Sequence, residues 1–512
     1  MVSTYNSKTM KNKRYIYIAL IGALSLSVGS CSEDYLNVPN DGKQTETNYY
    51  KNESEAFSGL VSIYDVLRKN TGSFDNILTF MNAGSDDNYA GGGGETDGVG
   101  IHKFANFTID QFTIHRSYWS DHYQGIFRAN ILLKKLPDVP MADSKKELFA
   151  AEAKTLRAIY YFNLVRMFKN IPLILEPVDP AAMYDILQVS SDEVYAQMEK
   201  DLLEAIPNLP LNANAQYPGR LTQGAARAVL GKIYLYDGKK AEAAAQLALV
   251  NGTPGGTSQY GYKLLDNFDD LWETDNKFNS ESILECSHTN LSNAGWGNWG
   301  SGTDEGNTTG VMVGPRGYTK IGPNAPDLPT GWSFNNWTQN FYDAIKGDPR
   351  FNATVLDLKA LKAAGEADYT PGYKDTGYFL NKFVPTNADV TDGAGDAVLN
   401  YRQNSYIIRL ADTYLMEAEA LGGTGARAQA LLDAVRKRVG LLPVPVTMDA
   451  IKKERRIELA GEGHRFFDLV RWGDAASVLA SKGFVAGKNE ILPIPYQELQ
   501  GTKIEQNPNY KE

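Results

Sequence analysis

The sequence predicts a mostly α-helical protein, built from helix hairpins at both ends of the chain and interrupted by a loop-rich middle segment. Three observations support this fold class. Apolar residues recur at helical spacing through most of residues 54–250 and again after residue 400. Two of these stretches carry the spacing of tetratricopeptide helix pairs. Residues 251–399 are instead rich in glycine, proline and tryptophan and show little helical periodicity.

The first 30 residues have the pattern of a secretion signal. Lys11, Lys13 and Arg14 precede an apolar run over residues 15–28, which is too short to span a bilayer comfortably. Cys31 follows directly and is succeeded by acidic residues, an arrangement that resembles a bacterial lipobox. The sequence therefore predicts cleavage before Cys31, lipidation of this cysteine and a membrane attachment through the lipid alone. The alternative is an ordinary secretion signal in which Cys31 has no role.

Residues 31–250 are predicted to form the first helical part. Its glycine- and aspartate-rich stretch over residues 84–100 interrupts the helices. Ser190 or Ser191 is the predicted cap of one helix, because acidic residues follow it in the first turn. The predicted helices cover residues 54–69, 118–136, 145–168, 191–206, 222–236 and 239–250.

The last helix pair of this part matches a tetratricopeptide unit, in which small residues let two antiparallel helices approach. A second unit is predicted in the C-terminal part, residues 400–512. The alternative is plain amphipathic hairpins without the superhelix; both give a helical scaffold. The residues that carry the pattern are Leu230, Gly231, Tyr234, Ala243 and Leu247 in the first unit, and Leu410, Ala411, Tyr414, Ala428, Leu432 and Val435 in the second.

The middle segment, residues 251–399, is predicted to form a loop-rich face on one body that spans residues 31–512. Helical periodicity remains only around residues 337–345 and 356–364. Long loop-rich stretches in compact proteins usually carry function, so a ligand or a partner is expected to bind here.

Charge and cysteine content narrow the possible functions. The formal net charge is −10 and basic residues are scattered, which argues against a nucleic-acid partner. The two cysteines are Cys31 and Cys286. If Cys31 carries lipid, Cys286 has no partner, and its alternating surroundings predict a small buried residue.

Segments along nearly the whole chain together resemble the SusD/RagB family of outer-membrane nutrient-binding lipoproteins. The most specific run is residues 454–473, which includes Glu454-Arg455-Arg456 and Glu462-Gly463-His464-Arg465-Phe466-Phe467-Asp468. The resemblance implies a single, mostly helical SusD-like domain with tetratricopeptide-like units. The other matching segments are Arg128-Ala129-Asn130, Leu156-Arg157-Ala158, Gly219-Arg220-Leu221-Thr222, Asp348-Pro349-Arg350, Arg409-Leu410-Ala411-Asp412, Leu492-Pro493-Ile494-Pro495 and Gln506-Asn507-Pro508-Asn509-Tyr510.

The charged residues of the run at residues 454–473 are expected to stabilise the fold. Arg455, Glu458, Glu462 and Arg465 recur at three- and four-residue spacing, which allows a ladder of ion pairs, while Gly461 and Gly463 are expected to break the helix. This run is therefore expected to be structural and not catalytic.

No catalytic signature is present in the sequence, and no cofactor or metal is predicted. It contains no His-Glu-x-x-His, Gly-x-Ser-x-Gly or phosphate-loop motif, and its five histidines lack ligand spacing. Asp86-Asp87-Asn88 offers oxygen ligands but lacks the full spacing of a calcium loop. A non-enzymatic protein is expected, and a surface enzyme acting on polysaccharide is the less favoured alternative.

Candidate ligand-binding residues lie in the glycine-rich loop of the first part and in the tryptophan-containing stretches of the middle segment. A sugar presents an apolar face on which an aromatic ring stacks, and hydroxyls that short polar side chains bind. The alternative is that these rings fill the core or contact a partner. The candidates are Tyr89, Asp87 and Asn88 in the first loop and Trp296, Trp299, Trp332 and Trp337 in the middle segment.

The resemblance implies the wider setting. Family members bind a nutrient, most often a glycan and in some cases a peptide, and deliver it to a SusC-like TonB-dependent transporter. The expected location is the outer membrane, with the lipid-anchored protein facing the cell exterior. A glycan ligand is expected, since tryptophan-rich loops suit sugar; a peptide ligand is the alternative.

Overall fold

The structure is a computed structural model that describes residues 49–297 and 304–511. The chain divides after Lys51, and Asn52–Glu512 forms one compact unit. The predicted signal segment, Cys31 and Trp299 lie outside the described residues. Helix accounts for 49% and strand for 7%, which confirms the mostly α-helical fold class. In the described ranges, no helix combines the length and the apolar character needed to cross a membrane.

Helices of the first part lie where the apolar spacing predicts them, within a few residues at each end. Ser190 caps its helix through a reciprocal bond with Glu193, and Thr222 caps the next helix at Ala225 N. The helices are α1 Glu53–Gly72, α2 Ile77–Ala83, α3 Val99–Ala105, α4 Ser117–Lys135, α5 Asp143–Phe168, α6 Ser191–Ala205, α7 Gln223–Tyr236 and α8 Lys240–Asn251. Two short helices that the sequence did not indicate, α2 and α3, flank the glycine-rich loop.

The C-terminal part is also helical. A second hairpin is present as the repeat pattern predicts, and shorter helices follow it. These helices are α13 Leu410–Ala420, α14 Gly425–Arg438, α15 Met448–Glu458, α16 Arg465–Trp472, α17 Ala475–Val478 and α18 Tyr496–Leu499.

Small residues bring the paired helices close together. Gly231 of α7 faces Leu247 of α8, and a Cβ at Gly231 would lie 2.6 Å from Leu247 Cγ. Both helices are buried along this seam. Helix α8 packs against α13, which pairs in turn with α14. The two predicted repeat units therefore stack directly on each other, although 158 residues separate α8 from α13 in the sequence.

The middle segment contains short helices and strands. Helices α10 and α12 confirm the two stretches of helical periodicity, whereas the strand pairs were not predicted. The helices are α9 Thr309–Val313, α10 Gln339–Ile345, α11 Phe351–Thr354 and α12 Leu358–Ala363. The antiparallel strand pairs are β1 Ile171–Pro172 with β2 Gln188–Val189, β3 Ser282–Cys286 with β8 Ser405–Arg409, β4 Thr319–Lys320 with β6 Ala367–Asp368, and β5 Val355–Asp357 with β7 Tyr378–Leu380.

The charged run at residues 454–473 is paired within the protein, and Gly461 and Gly463 break the helix as predicted, but the four charged side chains do not pair with one another in a ladder. Arg455 binds Asp412 and Asp468 at 2.8 and 3.0 Å. Glu458 and Glu462 each accept bonds from Arg409, at 2.6 and 2.8 Å. Gly461 and Gly463 adopt left-handed φ values and end the helix, so the four side chains do not share one helical face. Their partners come from distant segments, which these ion pairs tie into one core.

Cys286 and most of the histidines occupy the core. Cys286 is a buried free thiol on β3, as predicted, and burial raises its pKa to about 12. Burial also lowers the pKa of His122 and His288 to about 3, so both rings are neutral at physiological pH. These residues do not present reactive groups to solvent.

Candidate functional site

Three aromatic rings form an open face on one side of the molecule. Phe74 stacks on Trp296 with ring centroids 5.8 Å apart and on Trp332 at 5.3 Å. The two indoles lie 6.1 Å apart with planes inclined by 27°. Trp296 is 58% exposed, and Phe74 and Trp332 are half-buried. This arrangement, called the aromatic face below, leaves a large apolar surface in contact with water.

Each ring of the aromatic face comes from a different segment. Phe74 lies in the turn between α1 and α2, where the Asn76 side chain caps α2 at Thr79 N, at 2.8 Å. The backbone N–H of Trp296 donates to Asp396 Oδ2 at 3.0 Å. The N–H of Trp332 donates to Val311 O at 2.8 Å. Backbone hydrogen bonds therefore position rings that are remote in sequence.

The glycine-rich loop packs against the segment after Trp332 through backbone hydrogen bonds. Gly92 N donates to Ser333 O at 2.8 Å, and Asn335 N donates to Ala90 O at 2.9 Å. A Cβ at Gly91 would lie 2.2 Å from Ser333 O, so a larger residue would push the two loops apart. The loop thus contributes close backbone packing to the site.

The aromatic face borders a cleft of about 240 Å³. This volume is below that of pockets which enclose a whole drug-sized ligand, so the cleft suits part of a longer chain. Its lining is mainly apolar but includes the side chains of Asp75, Asp97 and His115, called the polar rim below. The lining residues are Phe74, Asp75, Thr79, Phe80, Asp97, Gly98, Ile101, His115, Tyr118, Trp296, Met312, Trp332 and Phe334.

Asp75 and His115 form a hydrogen-bonded pair at the rim. His115 Nδ1 lies 2.6 Å from Asp75 Oδ1, and Ser117 Oγ donates to Asp75 Oδ2 at 2.8 Å. Burial raises the pKa of Asp75, but the bonds from His115 and Ser117 outweigh it and hold this pKa below its usual value. The hydrogen bond to Asp75 raises the pKa of His115 above its usual value. The pair places an ionised carboxylate and a titrating imidazole beside the rings.

Asp97 supplies the third polar side chain of the rim. Its Oδ2 accepts from Gly93 N at 2.7 Å and lies 3.2 Å from the guanidinium of Arg316. Arg316 is itself anchored where its backbone N donates to Ser333 Oγ at 2.9 Å. Carboxylate oxygens in the same cleft as exposed aromatic rings are suited to accept hydroxyl protons from a polar ligand.

The structure brings together two of the four tryptophans that the sequence singled out. Trp296 and Trp332 share the aromatic face, and Trp299 lies outside the described residues. Phe74, Asp75 and His115 were missed. Phe74 and Asp75 directly follow a predicted helix that ends near residue 69, a position where exposed loop residues are common, but no spacing links them to Trp332.

The ligand role predicted for Trp337 is corrected by its position. Trp337 is fully buried, stacks on Phe341 at 4.0 Å, and donates through Nε1 to Thr354 O at 3.2 Å. Apolar neighbours surround the ring, so it has no face toward solvent. Its role is to fill the core beneath the glycine-rich loop.

The predicted polar ligands of the first loop are also engaged in the protein. Asp87 is buried and lies 2.6 Å from Arg456 Nη2, while Asn88 donates to Asn335 O at 2.7 Å. Both expected ligand roles are therefore corrected: these side chains hold the loop in place. Tyr89 is half-buried, with Lys374 Nζ 5.6 Å from its ring centroid. Its ligand role remains a prediction.

The carboxylates of this loop form ion pairs with arginine side chains, which leaves them no free oxygen face for a metal ion. Asp86 binds Arg465 at 2.8 Å, and the ion pairs of Asp86 and Asp87 connect the loop to helices α15 and α16. Within residues 49–297 and 304–511, no cluster of His, Cys, Asp and Glu is suited to hold a metal.

Comparisons with known protein families match both ends of the chain. A family model described as "SusD family" matches residues 330–510. A second, described as "Starch-binding associating with outer membrane", matches residues 34–235. Among curated proteins, SusD-like protein P25 of Formosa agariphila is 25% identical over 520 residues, which cover 95% of this chain and 96% of the relative.

Solved structures extend the match to the fold. A protein titled "Laminarin binding SusD-like protein" is 65% identical, with a TM-score of 0.89 over 90% of this chain and 100% of its own. Surface glycan-binding protein A from Bacteroides thetaiotaomicron, solved in complex with laminarihexaose, is 26% identical. Its TM-score is 0.79 over 89% of this chain and 99% of its own.

A relative that shares 65% of its residues, and that this chain covers from end to end, establishes the family. The fold, the helix hairpins and the two family models agree with it. The chain belongs to the SusD family.

Proposed function

We propose that this protein binds a glucan chain on the aromatic face and does not alter it chemically. The observation that carries the proposal is the exposed surface of Phe74, Trp296 and Trp332, with rings 5.3–6.1 Å apart beside a polar rim. Flat rings suit the C–H faces of sugars, and the rim carboxylates suit their hydroxyls.

The relatives favour a laminarin-type glucan as the ligand. The 65% identical structure is named for binding laminarin, and a second structure contains laminarihexaose. Loops set ligand choice in binding proteins. High identity to the laminarin-binding protein therefore supports the same ligand class for this chain.

The exposed rings favour sugar over peptide. A peptide site would satisfy the backbone of its ligand with many donors and acceptors inside an enclosed pocket. The cleft beside the aromatic face is instead open, and its lining is mostly apolar. A peptide-binding function is therefore the second candidate and an outcome of the binding experiment.

The cellular role follows from the family. We propose that Cys31 carries lipid, that the body is held at the outer face of the outer membrane, and that bound glycan passes to a SusC-like TonB-dependent transporter. The lipobox-like segment before Cys31 supports the anchor. The family model that describes association with the outer membrane supports the location.

Calorimetric titration of the mature protein tests the ligand. We expect laminarihexaose to bind with a micromolar to millimolar Kd, because each sugar hydroxyl exchanges a bond with water for a bond with protein. Trp296→Ala and Trp332→Ala each remove stacking worth about 1–2 kcal/mol and should weaken binding about 5- to 30-fold.

Phe112→Ala is the matched control, because Phe112 is 58% exposed like Trp296 but lies outside the cleft. It should leave Kd unchanged. Cellohexaose, in which the same sugar is β-1,4-linked, and a peptide mixture complete the panel. Binding of peptides alone, or equal Kd values for both tryptophan variants and the wild type, would contradict the proposal.

A further inference from the structure

The Asp75–His115 pair is built into the wall of the cleft. Asp75 uses both carboxylate oxygens, one toward His115 Nδ1 at 2.6 Å and one toward Ser117 Oγ at 2.8 Å. A Cβ at Gly100 would lie 2.7 Å from His115 Cδ2, so the glycine leaves the space that the ring occupies. Carboxylate, hydroxyl and glycine together restrict the imidazole to one position.

The Nε2 side of the imidazole borders Gly100, where a Cβ would lie 3.0 Å from Nε2, and the ring also lines the cleft. His115 lines the cleft together with Trp296 and Trp332, and its side chain is 43% exposed. Nδ1 is occupied by Asp75. In the part of the chain that the structure describes, the Nε2 atom of His115 has no protein hydrogen-bond partner. Nε2 is therefore the imidazole nitrogen that remains for a ligand in the cleft.

We propose that His115 is a specificity-determining donor of the cleft: Asp75 positions its ring, and the Nε2–H group of protonated His115 donates to a hydroxyl of the sugar stacked on the aromatic face. This inference rests on the proposed glycan function and adds a charged contact to it. A hydrogen bond from a charged donor is about twice as strong as a neutral one. Protonated His115 should therefore hold the glycan more tightly than neutral His115.

The neutral ring makes a different contact. Asp75 accepts from Nδ1–H in both protonation states, so loss of the proton leaves Nε2 as an acceptor. A sugar hydroxyl then donates to Nε2, which keeps a hydrogen bond but loses the charge. We therefore expect affinity to fall with rising pH without disappearing.

The surroundings of the pair favour the protonated imidazole. The hydrogen bond to Asp75 raises the pKa of His115 above its usual value near 6.5. The protonated form therefore persists to a higher pH than in an unperturbed histidine, and affinity should be lost as pH rises through this raised pKa. The other charged or titratable groups around the pair are Lys69, Asp97, Tyr118 and Asp121.

Titration with laminarihexaose between pH 5.5 and 8.5 tests the proposal. For the wild type, we expect Kd to be about three- to tenfold weaker at pH 8.5 than at pH 5.5. His115→Gln keeps a polar side chain without the charge. It should bind at every pH about as the wild type does at pH 8.5.

Asp75→Asn keeps an acceptor for Nδ1–H but removes the carboxylate charge. Its affinity should change with pH as in the wild type, with the midpoint moved to lower pH. Lys103→Gln is the charge-matched control, because it removes a positive charge from an exposed pair with Asp110 outside the cleft lining. It should reproduce the wild-type profile.

The outcomes separate this inference from the proposed function. If the wild type binds laminarihexaose equally at all pH values, or if His115→Gln keeps the wild-type pH profile, the role of His115 is overturned and the glycan function stands. If the wild type binds no glycan at any pH, the proposed function fails and this inference fails with it. Circular dichroism of each variant establishes that it is folded.

Discussion

Two tryptophans with similar sequence surroundings have opposite roles. Trp332 and Trp337 flank the same four-residue segment, Ser333-Phe334-Asn335-Asn336, yet one lies in the aromatic face and the other is fully buried. The segment between them carries left-handed φ values at Ser333 and Asn335, of 63° and 58°. These residues turn the chain so that the two rings face different environments.

Trp337→Ala should destabilise the protein without weakening glycan binding. Removal of a fully buried aromatic ring typically costs about 3–5 kcal/mol of unfolding free energy, since a cavity remains. Urea unfolding and laminarihexaose titration measure both effects. Phe112→Ala, at an exposed position, should change stability by less than about 0.5 kcal/mol. A loss of affinity comparable to that of Trp332→Ala, with unchanged stability, would assign Trp337 to the ligand instead.

At the scale of elements, close helix packing holds the scaffold together. Helices α7 and α8 meet at Gly231, where the absence of a side chain admits Leu247. Helices α15 and α16, which carry the charged run at residues 454–473, bind the glycine-rich loop through Arg456 and Arg465. A helical scaffold therefore positions the loop that supports Trp332 from behind. The charged motif therefore contacts the loop behind the aromatic face and does not line the cleft itself.

Gly231→Ala tests the packing at the helix pair. Alanine favours helix over glycine by about 1 kcal/mol, so an exposed site would gain stability. Here the new Cβ would lie 2.6 Å from Leu247 Cγ, and we expect a net loss of about 1–2 kcal/mol. In a Leu247→Ala background the same change should cost less, because the space has opened. A stabilised Gly231→Ala variant in denaturant unfolding would refute the close contact.

At the scale of the whole molecule, ion pairs between distant segments unite the unit that starts at Asn52. Arg409 contacts Glu281, Glu458 and Glu462, and so links the middle segment to the C-terminal part. Burial of such groups is costly unless they are paired, so removal of one partner would leave a buried charge without compensation. The aromatic face also depends on packing between distant parts of the chain, since its rings come from three segments.

The proposed anchor predicts where the full chain is found in the cell. Cys31→Ala removes the sulfur that would carry lipid, so the variant should move from the membrane fraction to the soluble fraction, while the wild type stays with outer membranes. Affinity purification of the detergent-solubilised wild type should retain a TonB-dependent transporter identified by mass spectrometry. Recovery of the wild type in the soluble fraction would contradict the anchor.

Periodic and compositional features of the sequence predicted much of the fold. Apolar spacing located α1, α4, α5 and the two hairpins, because a helix buries one face and its sequence must repeat accordingly. The cap at Ser190 could be predicted because capping also depends only on residues close in sequence. The short strands were not, since two- to five-residue pairings depend on distant partners.

The sequence by itself determined the helical class, the family and the segments that carry candidate rings. Only the tertiary structure decided which rings meet. Trp296 and Trp332 are 36 positions apart, and Phe74 is more than 200 positions from either, so no local pattern could join them. Burial of Trp337, Asp87 and Asn88 likewise depends on neighbours from other segments. A binding site assembled from distant segments depends on long-range packing, whereas a helix depends mainly on the sequence of its own residues.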